Sequence, residues 1–155
     1  MTEDRTIQLD RMRFTKNTAS SRMALLAIVF DVLFFISIYK SDVGNYYYKA
    51  IIGISIIYNL VFLLATFLCS EGVKGYQVSY SWAMLVLGIG QIIRIFILPM
   101  DAHRTLISDA PVMGNAQFIR VVIYLALSAA ALFAGAVINL QKSRALSAHL
   151  ASLQA

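Results

Sequence analysis

Asp31 and Arg94 are the residues whose chemistry most needs a cause. Each stands inside a long apolar run, Asp31 within residues 21–39 and Arg94 within residues 78–100. An arginine at the centre of a membrane helix costs about 2.5–3.5 kcal/mol on insertion scales. Two buried charges of opposite sign are therefore expected to meet. Once paired they could serve two ends. An ion pair can fix which helices pack together and in what register. Alternatively, Asp31 binds a proton or cation and Arg94 acts as its gate. A neighbouring guanidinium favours the charged carboxylate, so proton carriage requires the pair to separate during a cycle.

Depth along the helices is the first test of the pairing. Asp31 lies eight residues before Tyr39, about 12 Å at roughly 1.5 Å per residue. Arg94 lies six residues before Met100, about 9 Å by the same measure. An arginine side chain spans that mismatch. Gln91 stands one turn from Arg94 on the same face. Asp31 shares its face with Ala24 and Ala27, small residues that let helices approach closely.

Other polar residues inside the apolar runs extend the pattern. The second run carries Ser55, Asn59 and Thr66 on one side. The fourth carries Gln117, Arg120, Tyr124, Ser128, Ala131 and Gly135 within a sector of about 100°. Hydrocarbon offers polar groups no partner, so such stripes turn inward. Ser55, Asn59, Gln91, Tyr124 and Ser128 are thus expected to form an intramembrane polar network around the Asp31–Arg94 pair. Ala126, Ala130 and Ala134 form a second small-residue ridge, expected to pack closely against a neighbouring helix or another protein.

The elements that must position these residues follow from composition. The chain has 155 residues, 59% hydrophobic and 14% charged, with a mean hydropathy of +0.72. Soluble domains have about 45–50% apolar and about 25% charged residues. Both departures point to an integral membrane protein. The net charge of +5 flanks hydrophobic runs and forms no basic patch, which argues against nucleic acid as a partner. One cysteine, Cys69, permits no internal disulfide and no paired-cysteine metal or redox site. It reads as a packing residue.

Four spans are predicted, over about 21–39, 47–69, 77–100 and 117–140, forming an antiparallel all-α bundle. Asn17 to Ser21 offers helix-capping side chains. Asp31 interrupts the first run and no small-x-small site follows it, so this run is read as a retained span and not a cleaved leader. Gly44 and Asn45 mark a short loop, and residues 70–76, with Gly72 and Gly75, a tight one. Tyr46, Tyr47, Tyr48, Tyr76, Tyr80 and Trp82 suit the headgroup level. Pro99 is expected at the end of the third helix. Residues 101–115 read as the longest loop. Its Asp101, His103 and Asp109 match no specific metal spacing, so no metal and no cofactor is expected. Residues 141–155 read as a short amphipathic tail, with Leu146, Leu150 and Leu153 on one side, continuing the fourth helix or lying along the membrane.

Lysines and arginines set the expected orientation. Residues 1–22 hold five, the 70–76 loop adds Lys74, and the tail adds Lys142 and Arg144. The opposite side has Lys40, Lys49, Arg104 and Arg120. Positive-inside bias then puts both termini in the cytoplasm, and the protein in the inner (cytoplasmic) membrane. No hydrolase, zinc-protease or phosphate-loop signature is present, so a non-enzyme is expected.

Two resemblances bear on function. Four spans with one acid in the first look like the layout of small multidrug transporters, which place a glutamate there and work as dimers. Here the acid is Asp31 and an intramembrane Arg94 is added, so the resemblance covers topology and carries no site across. The segments Met12-Arg-Phe-Thr-Lys-Asn17 and Ser37-Ile-Tyr-Lys-Ser-Asp-Val-Gly44 are similar to small four-span proteins of anaerobic Gram-positive bacteria. That resemblance implies a companion of nutrient-transport systems. The expectation is a non-catalytic accessory or scaffolding subunit of a membrane complex, in contact with lipid and with other membrane subunits or further copies of itself. The alternative is a small ion- or proton-coupled transporter working as a homo-oligomer through Asp31 and Arg94.

Overall fold

A computed structural model describes residues 16–38, 46–107 and 110–154, with backbone alone for 46–49, 51, 107, 110, 153 and 154. Most of the basic N-terminal segment, the first loop with its Lys40, the Tyr46–Tyr48 side chains and Asp109 lie outside the described residues. So do most of the two segments that carry the second resemblance.

The fold is helical. Helix α1 spans Thr18–Ile38 and α2 spans Tyr46–Gly72. Helix α3 spans Val78–Arg104 and α4 spans Asn115–Gln154. All four are long and apolar enough to cross a membrane. Each exceeds the roughly 20 residues needed for a hydrocarbon core of about 30 Å. Their outward faces fit contact with lipid. Ile54, Ile57, Val61, Leu64, Val86 and Phe96 are each 60% or more exposed, a surface that water would penalise. These helices fit an integral membrane protein that crosses the bilayer several times.

Inward faces repeat at three and four residues. Helix α1 buries Ala24, Ala27, Asp31, Phe34 and Ile38. Helix α3 buries Ser81, Met84, Gly88, Gln91, Arg94 and Leu98. This is the seam of a helix bundle, with polar residues placed directly on it. Helix α4 is the hub, packing along both α1 and α3, while α2 leans mainly on α1. The seam between α2 and α3 is the thinnest of the bundle.

Local chemistry sets the ends. Asn17 caps α1, its Oδ1 accepting from the Ser20 backbone N–H at 3.4 Å. Helix α2 runs three residues past its predicted end, to Gly72, where Tyr80 packs over the spot a side chain would fill. A 3₁₀ turn, Val73–Gly75, follows, and Tyr76 closes it with φ at 59°. A left-handed tyrosine is unfavourable, and its ring is compensated by burial, only 8% exposed. Tyr76 therefore leaves the predicted aromatic belt and enters the bundle. Trp82, 61% exposed, stays outside.

Two further expectations are corrected. Pro99 lies inside α3, which continues to Arg104. A buried proline inside a membrane helix is tolerated where packing around it compensates the freed backbone group. The predicted 101–115 loop is shorter for the same reason. Helix α3 ends where Thr105 Oγ1 and the Thr105 N–H both donate to the Asp101 carbonyl at 3.0 Å. A two-residue antiparallel ladder then pairs β1, Leu106–Ile107, with β2, Ala110–Pro111. Residues 141–154 take the first of the two forms expected of them and continue the fourth helix, so that α4 runs unbroken through 40 residues. At about 1.5 Å per residue that is roughly 60 Å, twice the membrane core.

The core falls into two apolar clusters. One gathers Ala24, Phe62, Cys69, Met84, Leu132 and Ala136 toward the start of α1. The other gathers Phe34, Ile38, Leu98, Met113, Val121 and Leu125 toward the β1–β2 ladder. Asp31, Gln91, Arg94 and Ser128 fall between them in sequence on α1, α3 and α4. A polar layer thus separates the two apolar clusters.

Candidate functional site

Position along each helix brings the dividing layer together. Asp31 follows Ala27 by one turn on α1, and Gln91 and Arg94 are one turn apart on α3. Across the bundle, Arg94 Nη1 donates to Asp31 Oδ1 at 3.0 Å. Gln91 Nε2 donates to the same oxygen at 2.9 Å. Gln91 Nε2 also reaches Ser128 Oγ on α4 at 3.3 Å, and Ser128 Oγ donates to the Ala27 carbonyl at 3.0 Å. Arg94 Nη2 donates to Ser55 Oγ on α2 at 3.1 Å. One carboxylate, one guanidinium and the Gln91 amide therefore tie all four helices at a single level.

Burial makes these bonds strong. Asp31 is fully buried and Arg94 is 5% exposed. In such a low-dielectric interior opposite charges attract far more than in water. Each also pays a heavy desolvation cost, which only close partners offset. Arg94 has further support that the polar pattern did not reveal. Its guanidinium carbon sits 4.2 Å from the Phe34 ring centroid and 4.9 Å from that of Tyr58. Rings on α1 and α2 thus flank the cation at distances where their faces attract it. The spacing held a clue to both. Phe34 is one turn beyond Asp31, and Tyr58 continues the Ser55 face of α2.

The other predicted site residues divide. Ser55, Gln91 and Ser128 belong to the layer. Asn59 is 2% exposed, but its Oδ1 has no partner and it joins neither charge. Tyr124 stands apart. It lines a cavity of about 270 Å³ between α1 and α4 with Leu33, Ser37, Gln117 and Arg120. There Gln117 Nε2 donates to the Ser37 carbonyl at 2.9 Å.

The layer is incompletely bonded. Asp31 Oδ2, Gln91 Oε1 and Arg94 Nε are buried without partners, as are Asn59 Oδ1 and Thr66 Oγ1. Beside it, α2 and α3 part to leave a second cavity of about 410 Å³. Its walls include Ile54, Ile93 and Ile97, and its polar side is Ser55, Tyr58 and Arg94.

A second polar layer, absent from the sequence reading, closes the bundle near the start of α1. Asn17 Nδ2 donates to Asn139 Oδ1 at 2.8 Å. Asn139 Nδ2 donates to Ser81 Oγ at 2.7 Å and to the Gln77 carbonyl at 3.0 Å. Ser20 Oγ donates to the Gly135 carbonyl at 2.6 Å, and Ser21 and Ser70 share a hydroxyl bond at 2.8 Å. The sequence marks Asn17 only as one of several helix-capping side chains and does not single out Asn139.

At the far end, His103 of the predicted loop is held by its neighbours. Its Nδ1 lies 3.0 Å from the Met113 carbonyl and its ring stacks on Phe118 with centroids 4.5 Å apart. Among the described residues no three His, Cys, Asp or Glu side chains gather as metal ligands.

The Ala126–Ala130–Ala134 ridge lies away from the interior of the bundle, which leaves another protein as the neighbour it could pack against. Ala126 and Ala130 are exposed on α4 and Ala134 is half-buried. The small residues that do meet the bundle are Ala129, Ala131, Gly135 and Ala136. Both sets recur at helical spacing, and the polar Ser128 and Asn139 decide which face turns inward.

Comparison with known proteins adds no relative: no family model, no curated protein and no solved structure matches this chain.

Proposed function

We propose that this chain is a non-catalytic accessory or scaffolding subunit of a larger membrane complex, one that transports a nutrient. The observation that carries the reading is the use made of the interior polar groups. Asp31, Gln91, Arg94, Ser55 and Ser128 bond to one another across all four helices. Such a layer fixes helix partners and register. The surface supports the same role. Ala126 and Ala130 leave a smooth exposed strip on α4 where a partner helix can approach closely. In this reading the chain lies in the inner membrane of a bacterial cell with both termini cytoplasmic, following its lysine and arginine distribution.

Purification in mild detergent tests the role. The expected result is a stoichiometric membrane partner that Ala130→Leu releases, while the thermal midpoint of the isolated chain stays unchanged. A clean homodimer, indifferent to Ala130→Leu, would sink the proposal. For orientation, cysteine at Asn115 should react with an impermeant thiol reagent from outside the cell. Cysteine at Ser147 should react only after the membrane is opened, and the reverse pattern would refute the assignment.

One observation favours a second reading, a small ion- or proton-coupled transporter acting as a homo-oligomer. Asp31 keeps one carboxylate oxygen free of partners while fully buried. In proteoliposomes this reading expects proton- or cation-dependent flux that Asp31→Asn abolishes. Equal flux with and without the aspartate would remove it.

A further inference from the structure

The cavity between α1 and α4 stands at an edge of the membrane. Its α1 wall is Leu33, Ile36 and Ser37, and its α4 wall is Gln117, Arg120 and Tyr124. Helix α1 has 21 residues, about 31 Å at roughly 1.5 Å per residue, so its ends fall at the two edges of a hydrocarbon core of about 30 Å. Ser37 is next to the last residue of α1, and Gln117 is two residues from the first of α4. The cavity therefore begins at the headgroup level and reaches inward along both helices. Leu33 and Ile36 are exposed on the lipid side of α1. Polar and apolar surface share the lining in near-equal measure.

Charge selects the occupant. Arg120 is the one charged residue in the lining, and no acid accompanies it. Its side chain is exposed and that of Tyr124 half-buried. Among the described residues neither the Arg120 guanidinium nor the Tyr124 hydroxyl has a partner. The Gln117 amide, by contrast, already donates to the Ser37 carbonyl at 2.9 Å. A guanidinium carries five N–H donors in a fork that matches phosphate oxygens. A cationic headgroup would meet Arg120. The ammonium of a zwitterionic headgroup would find no carboxylate in the lining. What fits is a phosphate whose other substituents are uncharged. Leu33 and Ile36 place hydrocarbon beside it. The volume of about 270 Å³ falls below the range of about 300–1,000 Å³ typical of whole small molecules. It admits a headgroup and leaves the chains in the bilayer.

We infer that the α1–α4 cavity binds the phosphodiester headgroup of an anionic membrane phospholipid, held by the Arg120 guanidinium and the Tyr124 hydroxyl, with an acyl chain along Leu33 and Ile36. Free phosphate shares the headgroup chemistry and lacks the chain. The inference is independent of the scaffolding role. A lipid seated there touches α1 and α4 together, beside the Gln117–Ser37 bond that already joins them.

The test uses the full chain in a neutral maltoside detergent, with dioctanoyl-phosphatidylglycerol as probe. Dioctanoyl-phosphatidylcholine and inorganic phosphate separate net charge from chain. The expected result is a saturable rise in thermal midpoint with the phosphatidylglycerol and little rise with the other two. Arg120→Gln should weaken binding at least about tenfold, the worth of a charge-assisted hydrogen bond, and leave the lipid-free midpoint unchanged. Arg104→Gln removes an exposed cation outside the cavity. It should weaken binding by no more than about fivefold, the worth of one surface cation near anionic lipid. Ile36→Trp fills the mouth from an exposed position and should abolish the rise. Leu33→Trp serves the same end if that variant does not fold. An equal rise with phosphatidylcholine would show that net charge is not read. An equal rise with inorganic phosphate would show a site for a soluble anion. Equal losses from the two arginine variants would show diffuse attraction to the surface. Any of these, or binding that survives both tryptophan variants, overturns the inference.

Discussion

Two polar layers cross this bundle, and they are built on different terms. The layer at Asn17 uses short neutral side chains that reach backbone carbonyls on closely packed helices. The layer at Asp31 uses long side chains and two full charges. Among the described residues, five buried side-chain atoms lack partners, and three of them belong to Asp31, Gln91 and Arg94. None belongs to Asn17, Ser20, Ser21, Ser70, Ser81 or Asn139. Serine and asparagine can be satisfied by geometry that close packing already supplies. A carboxylate with four acceptor sites and a guanidinium with five donors ask for more than four helices deliver. The neutral layer is a fastening. The charged layer fastens too, yet it keeps hydrogen-bonding capacity in reserve.

That difference can be broken experimentally, and the largest effect should come from the charges. Asp31→Asn leaves Arg94 uncompensated, and Arg94→Gln does the same to Asp31. Either change should cost about 3–5 kcal/mol in reversible unfolding from detergent. The double variant leaves no lone charge and should recover much of the loss. Single variants as stable as the parent would show that the pair contributes nothing to holding the helices.

The neutral layer should respond less. Asn139→Leu removes the acceptor of Asn17 and the donor to Ser81 and Gln77. A loss of about 1–3 kcal/mol is expected, the cost of leaving buried polar groups unpaired. Asn17→Leu combined with Asn139→Leu should not approach the rescue seen for the charged double variant, because Ser81 stays unpaired. Full rescue would mean that the two layers are equivalent after all.

Single hydroxyls should matter least. Ser21→Ala in the neutral layer removes one interhelical side-chain bond, and Ser128→Ala in the charged layer removes two, to Gln91 and to the Ala27 carbonyl. Such bonds average about 0.6 kcal/mol inside membranes. Hydrogen exchange at neighbouring amides would sharpen the contrast. Opening should stay local after Ser21→Ala and spread to α3 after Ser128→Ala, where Gln91 loses a partner. Identical protection patterns would count against a distinction between the layers.

Much of this arrangement could be read from the chain, and the limits have physical causes. Apolar length gives the four helices and their order. Rise per residue puts Asp31 and Arg94 at one level, and they lie 3.0 Å apart. What length and rise cannot give is rotation. A helix apolar on every side carries no moment to show which face turns inward. Hence Phe34 and Tyr58 went unseen beside Arg94, and the sequence left open whether the Ala126–Ala130 strip meets a helix of this chain or faces out. Asn17 and Asn139 are 122 positions apart. Nothing local in either residue announces the other. Pro99 misled for a related reason. Its local effect suggests an end, while the packing that carries α3 past it is tertiary.

The length of α4 has a mechanical meaning. Its last bundle anchor is Asn139, and the helix continues through Gln154. Those fifteen residues form a rod of about 22 Å at roughly 1.5 Å per residue. Because the backbone bonding is unbroken from Asn115, the rod and the membrane portion of α4 move as one beam. A small tilt at Ser128 becomes a larger sweep at Ser152, in proportion to distance from the pivot. Whatever shifts the Asp31 layer is thereby magnified where Lys142, Arg144 and His149 stand.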